Sequence, residues 1–230
     1  MKRQKINQRI DKKVRRNERM DEYRYLEELI QRYPSLETIK KEIQDTYEVM
    51  RDAYHAGRKV LIAGNGGSGA DAEHMVGELM KGFIKERHVS KELSERLKQV
   101  DPVRGEILSK KLQQGLPAIA LTGHMSLSTA VLNDVDGEMI FAEQVLGYGK
   151  PGDVLLGITT SGNSKNVLYA AAVAKAKGMK VLALTGGNGG EIKKVSDVAL
   201  VVPEKETFKI QELHLPIYHA ICLMLEEYFF

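Results

Sequence analysis

The spacing of hydrophobic positions along this chain changes near residue 59. Before that point apolar residues recur every three or four positions, which predicts helices over about 23–33 and 36–56. Beyond it, short β-rich apolar runs at 59–63, 118–122, 154–158, 181–184 and 198–202 alternate with helical segments, the last over about 207–228. Continuous apolar runs are typical of strands buried on both faces of a parallel sheet. The pattern therefore predicts an α/β protein, a three-layer αβα sandwich with a five-stranded parallel sheet, preceded by N-terminal helices.

The same pattern divides the chain into a helical segment, 1–57, and a sheet domain, 58–230. The helices of the first segment have apolar faces with no evident partner in a single sandwich, so we expect them to build an oligomer. Within the sheet domain, the charged stretch at 84–115 begins a helix at Asp101-Pro102 and has a helix stop at Gly115. We interpret it as a helical insertion on the surface, with a lid over a site as the alternative.

Composition and charge limit where the protein is expected to act and what it is expected to bind. No apolar run approaches the ~20 residues that cross a membrane, and the charged N-terminus does not resemble a signal peptide. The single cysteine, Cys222, excludes an internal disulfide and indicates a reducing, cytoplasmic setting. The formal net charge of +3 is too small to indicate nucleic-acid binding. For the basic residues before Met20, a solvated tail is favoured over a nucleic-acid arm by roughly three to one.

A glycine-rich loop follows the first predicted strand. The sequence GNGGSG at 64–69 opens a helix, where free backbone N–H groups and the helix dipole favour an anion such as phosphate. It formally matches a dinucleotide-binding motif, but the next strand ends at Thr122 without the acidic residue that such a site requires. We therefore reject a dinucleotide site. Along the same helix, which we expect to continue to Phe83, Asp71, His74 and Glu78 share one face.

A second polar loop, TTSGNS at 159–164, follows another predicted strand and opens another helix. Its hydroxyls and backbone donors suit a phosphate monoester. One such cluster alone would favour a simple helix cap by about two to one, but two in one sheet favour a phosphate site. The glycine-rich turn at 185–190 and His214 are interpreted as structural, and His55 and His88 as surface residues.

Taken together, these stretches, with Asn133-Asp134 and the IQE run at 210–212 that leads to His214 and His219, resemble the phosphoheptose isomerases of the sugar isomerase (SIS) domain family. The resemblance covers the chain from Ser35 onward. The fold of that family is the predicted sandwich, and its members are typically homotetramers with active sites at subunit interfaces. The chain differs from the family in its long 84–115 segment and at Gly82, where an arginine is common.

The resemblance implies an aldose–ketose isomerase of a phosphorylated sugar, here sedoheptulose 7-phosphate to D-glycero-D-manno-heptose 7-phosphate. It implies Glu78 and His219 as the acid/base pair. The implied substrate pocket consists of Asn65, Gly66, Gly67, Ser68, Asn133, Asp134, Thr159, Thr160, Ser161, Ser164 and Gln211. Where members of the family hold zinc, the matching ligands are His74, Glu78, Gln211 and His219, so one zinc per subunit is expected. The alternative function is a non-catalytic sugar-phosphate-binding regulator or assembly protein of the same fold; the presence of both Glu78 and His219 favours an enzyme.

Overall fold

The computed structural model describes residues 22–230, and the basic segment before Met20 lies outside them. Its strands are β1 Val60–Gly64, β2 Ala118–Ala120, β3 Val154–Ile158, β4 Lys180–Thr185 and β5 Val198–Val201. All pair in parallel in the order β2-β1-β3-β4-β5. The predicted five-stranded parallel sheet is confirmed.

Helices flank the sheet on both sides. They are α1 Arg24–Arg32, α2 Lys40–His55, α3 Gly67–Met80, α4 Lys91–Val100, α5 Pro102–Lys111, α6 Met125–Asp134, α7 Ile140–Tyr148, α8 Lys165–Ala176, α9 Ile192–Val195 and α10 Thr207–Phe229. Short 3-10 helices cover Pro34–Ile39 and Gly137–Met139. No helix in this described part of the chain is both long and apolar enough to cross a membrane.

Two predicted helix bounds were wrong for identifiable reasons. The helix expected over 36–56 begins as the 3-10 segment, which starts at Pro34. The helix expected to continue to Phe83 ends at Met80. The carbonyl of Leu79 accepts the backbone N–H of Leu116, and the Phe83 N–H donates to a side chain instead of continuing the helical ladder.

Alternate strand residues face two separate cores, as expected for a sheet covered on both sides. Val60 and Ile62 lie in a core with α1, α2, α3 and α10, whereas Leu61 and Ala63 lie in a core with α7, α8 and α9. The three-layer αβα sandwich is thereby confirmed.

The argument that α1 and α2 have no partner within one chain was wrong. Leu26 and Leu29 of α1, and Tyr47 and Met50 of α2, are buried in the same core as Ile217 of α10. Periodicity shows that a helix has an apolar face but not which surface will cover it. These helices therefore complete the sandwich, and the oligomeric state stays a prediction.

Within the 84–115 segment, residues 91–111 form a helical hairpin. Asp101 Oδ1 accepts the backbone N–H groups of Val103 and Arg104 and so caps α5, with Pro102 in its first turn. Helix α4 buries no residue. The second helix ends at Lys111 rather than at Gly115, because Leu112 already has extended backbone.

His214 occupies the core side of α10, in line with its structural interpretation. The residue is fully buried, and its Nε2 lies 3.4 Å from the carbonyl oxygen of Thr185, while Nδ1 has no partner in the described part of the chain. Burial disfavours the imidazolium and lowers the pKa of His214 to about 4.

We expect this histidine to make the protein less stable in acid. Between pH 6.5 and about 4 the unfolded chain binds a proton at His214 that the folded chain does not, so the free energy of unfolding falls as the pH falls. The full effect is about 3 kcal/mol, reached near pH 4. Urea unfolding between pH 7 and pH 4.5 should show a shallower loss for His214→Gln than for the wild type. Parallel curves for the two proteins would contradict the assignment.

Candidate active site

The first glycine-rich loop turns sharply from β1 into α3. A Cβ on Gly64 would lie 2.4 Å from the backbone oxygen of Ser68, and Gly66, with φ of +54°, precedes the first helical residue. Both positions therefore require glycine. The turn places the free N–H groups at the start of α3 at the carboxyl edge of the sheet, where parallel sheets bind ligands.

The two polar loops are held side by side because β1 and β3 are neighbours. A reciprocal pair of amide hydrogen bonds joins them, from Asn65 Nδ2 to Asn166 Oδ1 at 2.9 Å and from Asn166 Nδ2 to Asn65 Oδ1 at 2.8 Å. Asn166 was not predicted as a site residue. Its position in the first turn of α8, directly after the second loop, is the sequence feature that could have identified it as a site residue.

In the second loop, the hydroxyls of Thr159 and Ser164 bond to each other at 2.9 Å. Ser161 is exposed, and its Oγ accepts the Asn163 N–H at 3.2 Å, so the hydroxyl hydrogen of Ser161 is available to an acceptor such as a phosphate oxygen. The carbonyl of Thr160 accepts the Gly186 N–H. The turn at 185–190 thus supports this loop, consistent with its structural interpretation.

The implied acid/base pair lies where α3 and α10 run alongside one another. His74 Nε2 is 3.4 Å from Glu78 Oε1 and 3.4 Å from His219 Nε2. The other carboxylate oxygen of Glu78 is 3.1 Å from Lys81 Nζ, a contact that was not predicted. Burial and the neighbouring His74 lower the pKa of His219, and Glu78 opposes this shift only in part. His219 is therefore a neutral imidazole at pH 7, able to accept a proton.

A second group of side chains orients His74. Tyr218 donates its hydroxyl hydrogen to Asp71 Oδ1 at 3.2 Å, and the same hydroxyl lies 3.0 Å from His74 Nδ1. Because that hydrogen points to Asp71, the hydroxyl oxygen can accept the Nδ1–H of His74, and this contact directs Nε2 toward Glu78 and His219. Tyr218 was not predicted, because nothing in the sequence shows that it meets residues 144 or more positions away.

The remaining predicted residues divide into two groups. The Gln211 amide covers the start of α3, since a Cβ on Gly67 would lie 2.6 Å from Gln211 Nε2. Asn133 and Asp134 end α6, exposed, with Asn133 Nδ2 donating to Asp134 Oδ1 at 2.7 Å. Over residues 22–230, their side chains make no hydrogen bond to either loop.

The donor atoms fit a zinc ion in pairs rather than as a complete set. Two ligand atoms on one tetrahedral zinc lie about 3.3 Å apart, close to both distances from His74 Nε2. Among the residues described, however, no three His, Cys, Asp or Glu side chains are arranged around a common metal position. Gln211 lies against Gly67 instead.

Comparisons with known proteins are consistent over most of the chain. A family model described as SIS domain matches residues 24–108 and 108–186. A phosphoheptose isomerase of Nitratiruptor sp. is 42% identical over 172 residues, 75% of this chain and 78% of that protein. The phosphoheptose isomerase of Helicobacter pylori is 38% identical over 200 residues, 84% of this chain and 91% of that protein.

A solved phosphoheptose isomerase from Francisella tularensis aligns with a TM-score of 0.68 at 34% identity, over 88% of this chain and 94% of that one. Sequence, family model and fold therefore agree, and the chain belongs to the SIS domain family and, within it, to the phosphoheptose isomerases.

Proposed function

We propose that this protein is an aldose–ketose isomerase that interconverts sedoheptulose 7-phosphate and D-glycero-D-manno-heptose 7-phosphate. The observation that carries the proposal is the cluster of Glu78, His74 and His219 beside two loops suited to phosphate. The relatives named phosphoheptose isomerase support the choice of sugar.

The reaction moves one proton between adjacent carbons and one between their oxygens. Glu78 removes the proton from the carbon beside the carbonyl and returns it to the former carbonyl carbon. His219, held neutral by burial, shuttles the proton between the two oxygens. The N–H groups at the start of α3 and the hydroxyl of Ser161 hold the phosphate, so that the sugar lies along α3 toward Glu78.

The alternative, a non-catalytic sugar-phosphate-binding protein, needs the phosphate loops but no proton-transfer pair. Glu78 and His219 are brought to one place from helices that lie far apart in the sequence, and Tyr218 orients the histidine between them. Binding a sugar phosphate does not by itself require a carboxylate and an imidazole placed for proton transfer. The enzyme is therefore the better supported function.

We further propose a setting and an assembly for this enzyme. Cys222 is free and buried, which suits a reducing cytoplasm. The resemblance to phosphoheptose isomerases supports a homotetramer, as do large apolar side chains such as Met125, Leu132 and Val135 that one chain leaves exposed. One zinc per subunit, with His74, Glu78, Gln211 and His219 as ligands, is proposed on the same resemblance alone, since only pairs of these donors are spaced for one ion in this structure. Such an ion would polarise the sugar oxygens.

Replacing Glu78 tests the proton transfer itself. In Glu78→Gln the amide cannot accept a proton, so exchange of solvent deuterium into the substrate carbon should fall at least a thousandfold while the sugar phosphate still binds. Glu73→Gln, an exposed glutamate on the same helix, is the matched control and should exchange at the wild-type rate. Wild-type exchange by Glu78→Gln would show that Glu78 is not the base.

Replacing Ser161 tests the phosphate site. Loss of one hydrogen bond to a charged group costs about 1.5–3 kcal/mol, so Ser161→Ala should raise KM roughly ten- to hundredfold with little change in kcat. Ser196→Ala is the control, because it loses the hydrogen bond to Ile192 O near the opposite edge of the sheet. The phosphate assignment fails if steady-state kinetics give both variants the same KM.

Titration calorimetry with zinc alone tests the metal proposal. His74→Ala should bind zinc at least tenfold more weakly than the wild type, because His74 Nε2 lies 3.4 Å from both Glu78 Oε1 and His219 Nε2. His88→Ala, which changes an exposed histidine, should bind zinc as the wild type does. A wild-type protein that takes up no zinc, or equal affinities in all three, would reject the site.

A further inference from the structure

An ion pair between Arg87 and Glu226 is enclosed in the protein behind the acid/base site. Arg87 Nε donates to Glu226 Oε1 at 2.8 Å, and the two side chains are 0% and 1% exposed. Removing two charges from water carries a desolvation cost that their attraction does not reliably offset, so a buried pair is weak evidence of a stabilising role. Its other contacts indicate what it does.

Glu226 holds the turn that follows α3. Its Oε1 accepts the Phe83 N–H at 2.8 Å, and its Oε2 accepts the Ile84 and Lys85 N–H groups at 2.9 and 3.2 Å. Burial by itself raises the pKa of Glu226, but the amides of Ile84 and Phe83 together with Arg87 outweigh it and leave the pKa below its ordinary value. The carboxylate is therefore charged, and each of its oxygens accepts at least two hydrogen bonds.

Arg87 holds the end of α3 itself. The last carbonyls of a helix have no partner within the helix. Arg87 Nη1 donates to the Leu79 carbonyl at 2.8 Å and Nη2 to the Glu78 carbonyl at 3.0 Å. The guanidinium also lies over the Phe230 ring, 4.7 Å from its centre. One side chain thus fixes the backbone of the residue assigned as the base.

The pair joins the two helices that supply the acid and the base. Glu78 is two residues from the end of α3, where helices fray, and Glu226 is two turns beyond His219 on α10. Tyr218 links the helices nearer the start of α3, through Asp71 and His74. The ion pair links them at the other end, on the far side of Glu78.

We propose that Arg87 and Glu226 are positioning residues for the isomerisation: they fix the last turn of α3 to α10 and so hold the Glu78 carboxylate at its working distance from His219. The inference rests on the proposed function. A displacement of about 1 Å at a reacting group can cost on the order of a hundredfold in rate, so loss of the pair affects kcat more than substrate binding.

The chain contains a matched control for this proposal. Asp153 is also a buried carboxylate that accepts two backbone N–H groups, from Lys59 at 3.1 Å and Lys150 at 2.8 Å, and pairs with a cation, Lys59 Nζ. It precedes β3 at the opposite edge of the sheet from the loops. Asp153→Asn therefore makes the same chemical change as Glu226→Gln, without a link to the site.

Kinetics should be measured at a temperature where circular dichroism shows every variant folded. Glu226→Gln should lower kcat ten- to hundredfold with KM within threefold of the wild type, whereas Asp153→Asn should keep kcat within twofold. Equal kcat values for Glu226→Gln and Asp153→Asn would show that the Arg87–Glu226 pair has only a structural role. Where Glu226→Gln does not fold, Arg87→Lys replaces it; this change keeps the charge but loses the fork that reaches two carbonyls, and it should show the same kcat-selective loss.

A double variant separates this inference from the proposed function. If Glu78 is the base and the pair acts through it, adding Glu226→Gln to Glu78→Gln should not lower the residual exchange rate further. If the wild type does not interconvert the two sugar phosphates, the proposed function fails whatever the pair does. If Glu78→Gln alone exchanges at the wild-type rate, Glu78 is not the base and the pair cannot act through it. If Glu78→Gln is inactive but Glu226→Gln behaves like Asp153→Asn, only the positioning role fails.

Discussion

The candidate site depends on the lateral contact between α3 and α10 on one face of the sheet. Ala72, Met75 and Leu79 of α3 share a core with Ile217 and Ile221 of α10. Because a helix repeats every 3.6 residues, burying these apolar positions fixes which polar positions stand at the edge of the contact. The position of the candidate acid/base residues is therefore a consequence of core packing, and the hydrogen bonds among them only refine it.

The glycine-rich loops are placed by a different constraint, the parallel pairing of β1 with β3. Neighbouring parallel strands end at the same edge, so their loops are adjacent without any contact having to be specified for them. The amide pair of Asn65 and Asn166 then fixes the separation of the two loops. The proposed phosphate contacts thus depend on the sheet and the proposed proton transfer on the helices. Helix α3 connects the two, because it starts at the end of β1 and carries His74 and Glu78.

Much of the fold could be predicted from the sequence because its signals are local. Strand β3 has its predicted bounds, because four apolar residues and Gly157 form a continuous run between turn residues. Asp101-Pro102 likewise marked a helix start, because the cap involves residues two and three positions away. The resemblance to a known family supplied the roles of Glu78 and His219, and the structure added that His74 lies between them.

What could not be predicted involves partners far apart in the sequence. Tyr218 contacts His74, and Arg87 contacts Glu226 across 139 positions in the sequence. No local sequence pattern around Tyr218 or Arg87 indicates these partners. The same limit led to the wrong argument about α1 and α2, whose apolar faces pack on α10 inside the chain. Periodicity gives the direction of a side chain relative to its own helix, and tertiary packing determines what it meets.

The order of the elements along the chain has a consequence for folding. Gln211, His219 and Glu226 all lie on α10, which follows β1, α3 and the other described elements in the sequence. A folding intermediate in which α10 has not docked has both polar loops but lacks His219 beside α3, and the core face shared by α1, α2 and α3 is open to water. Docking of α10 thus covers an aggregation-prone surface and assembles the candidate acid/base site in one event, so that the proposed activity arises only together with a closed core.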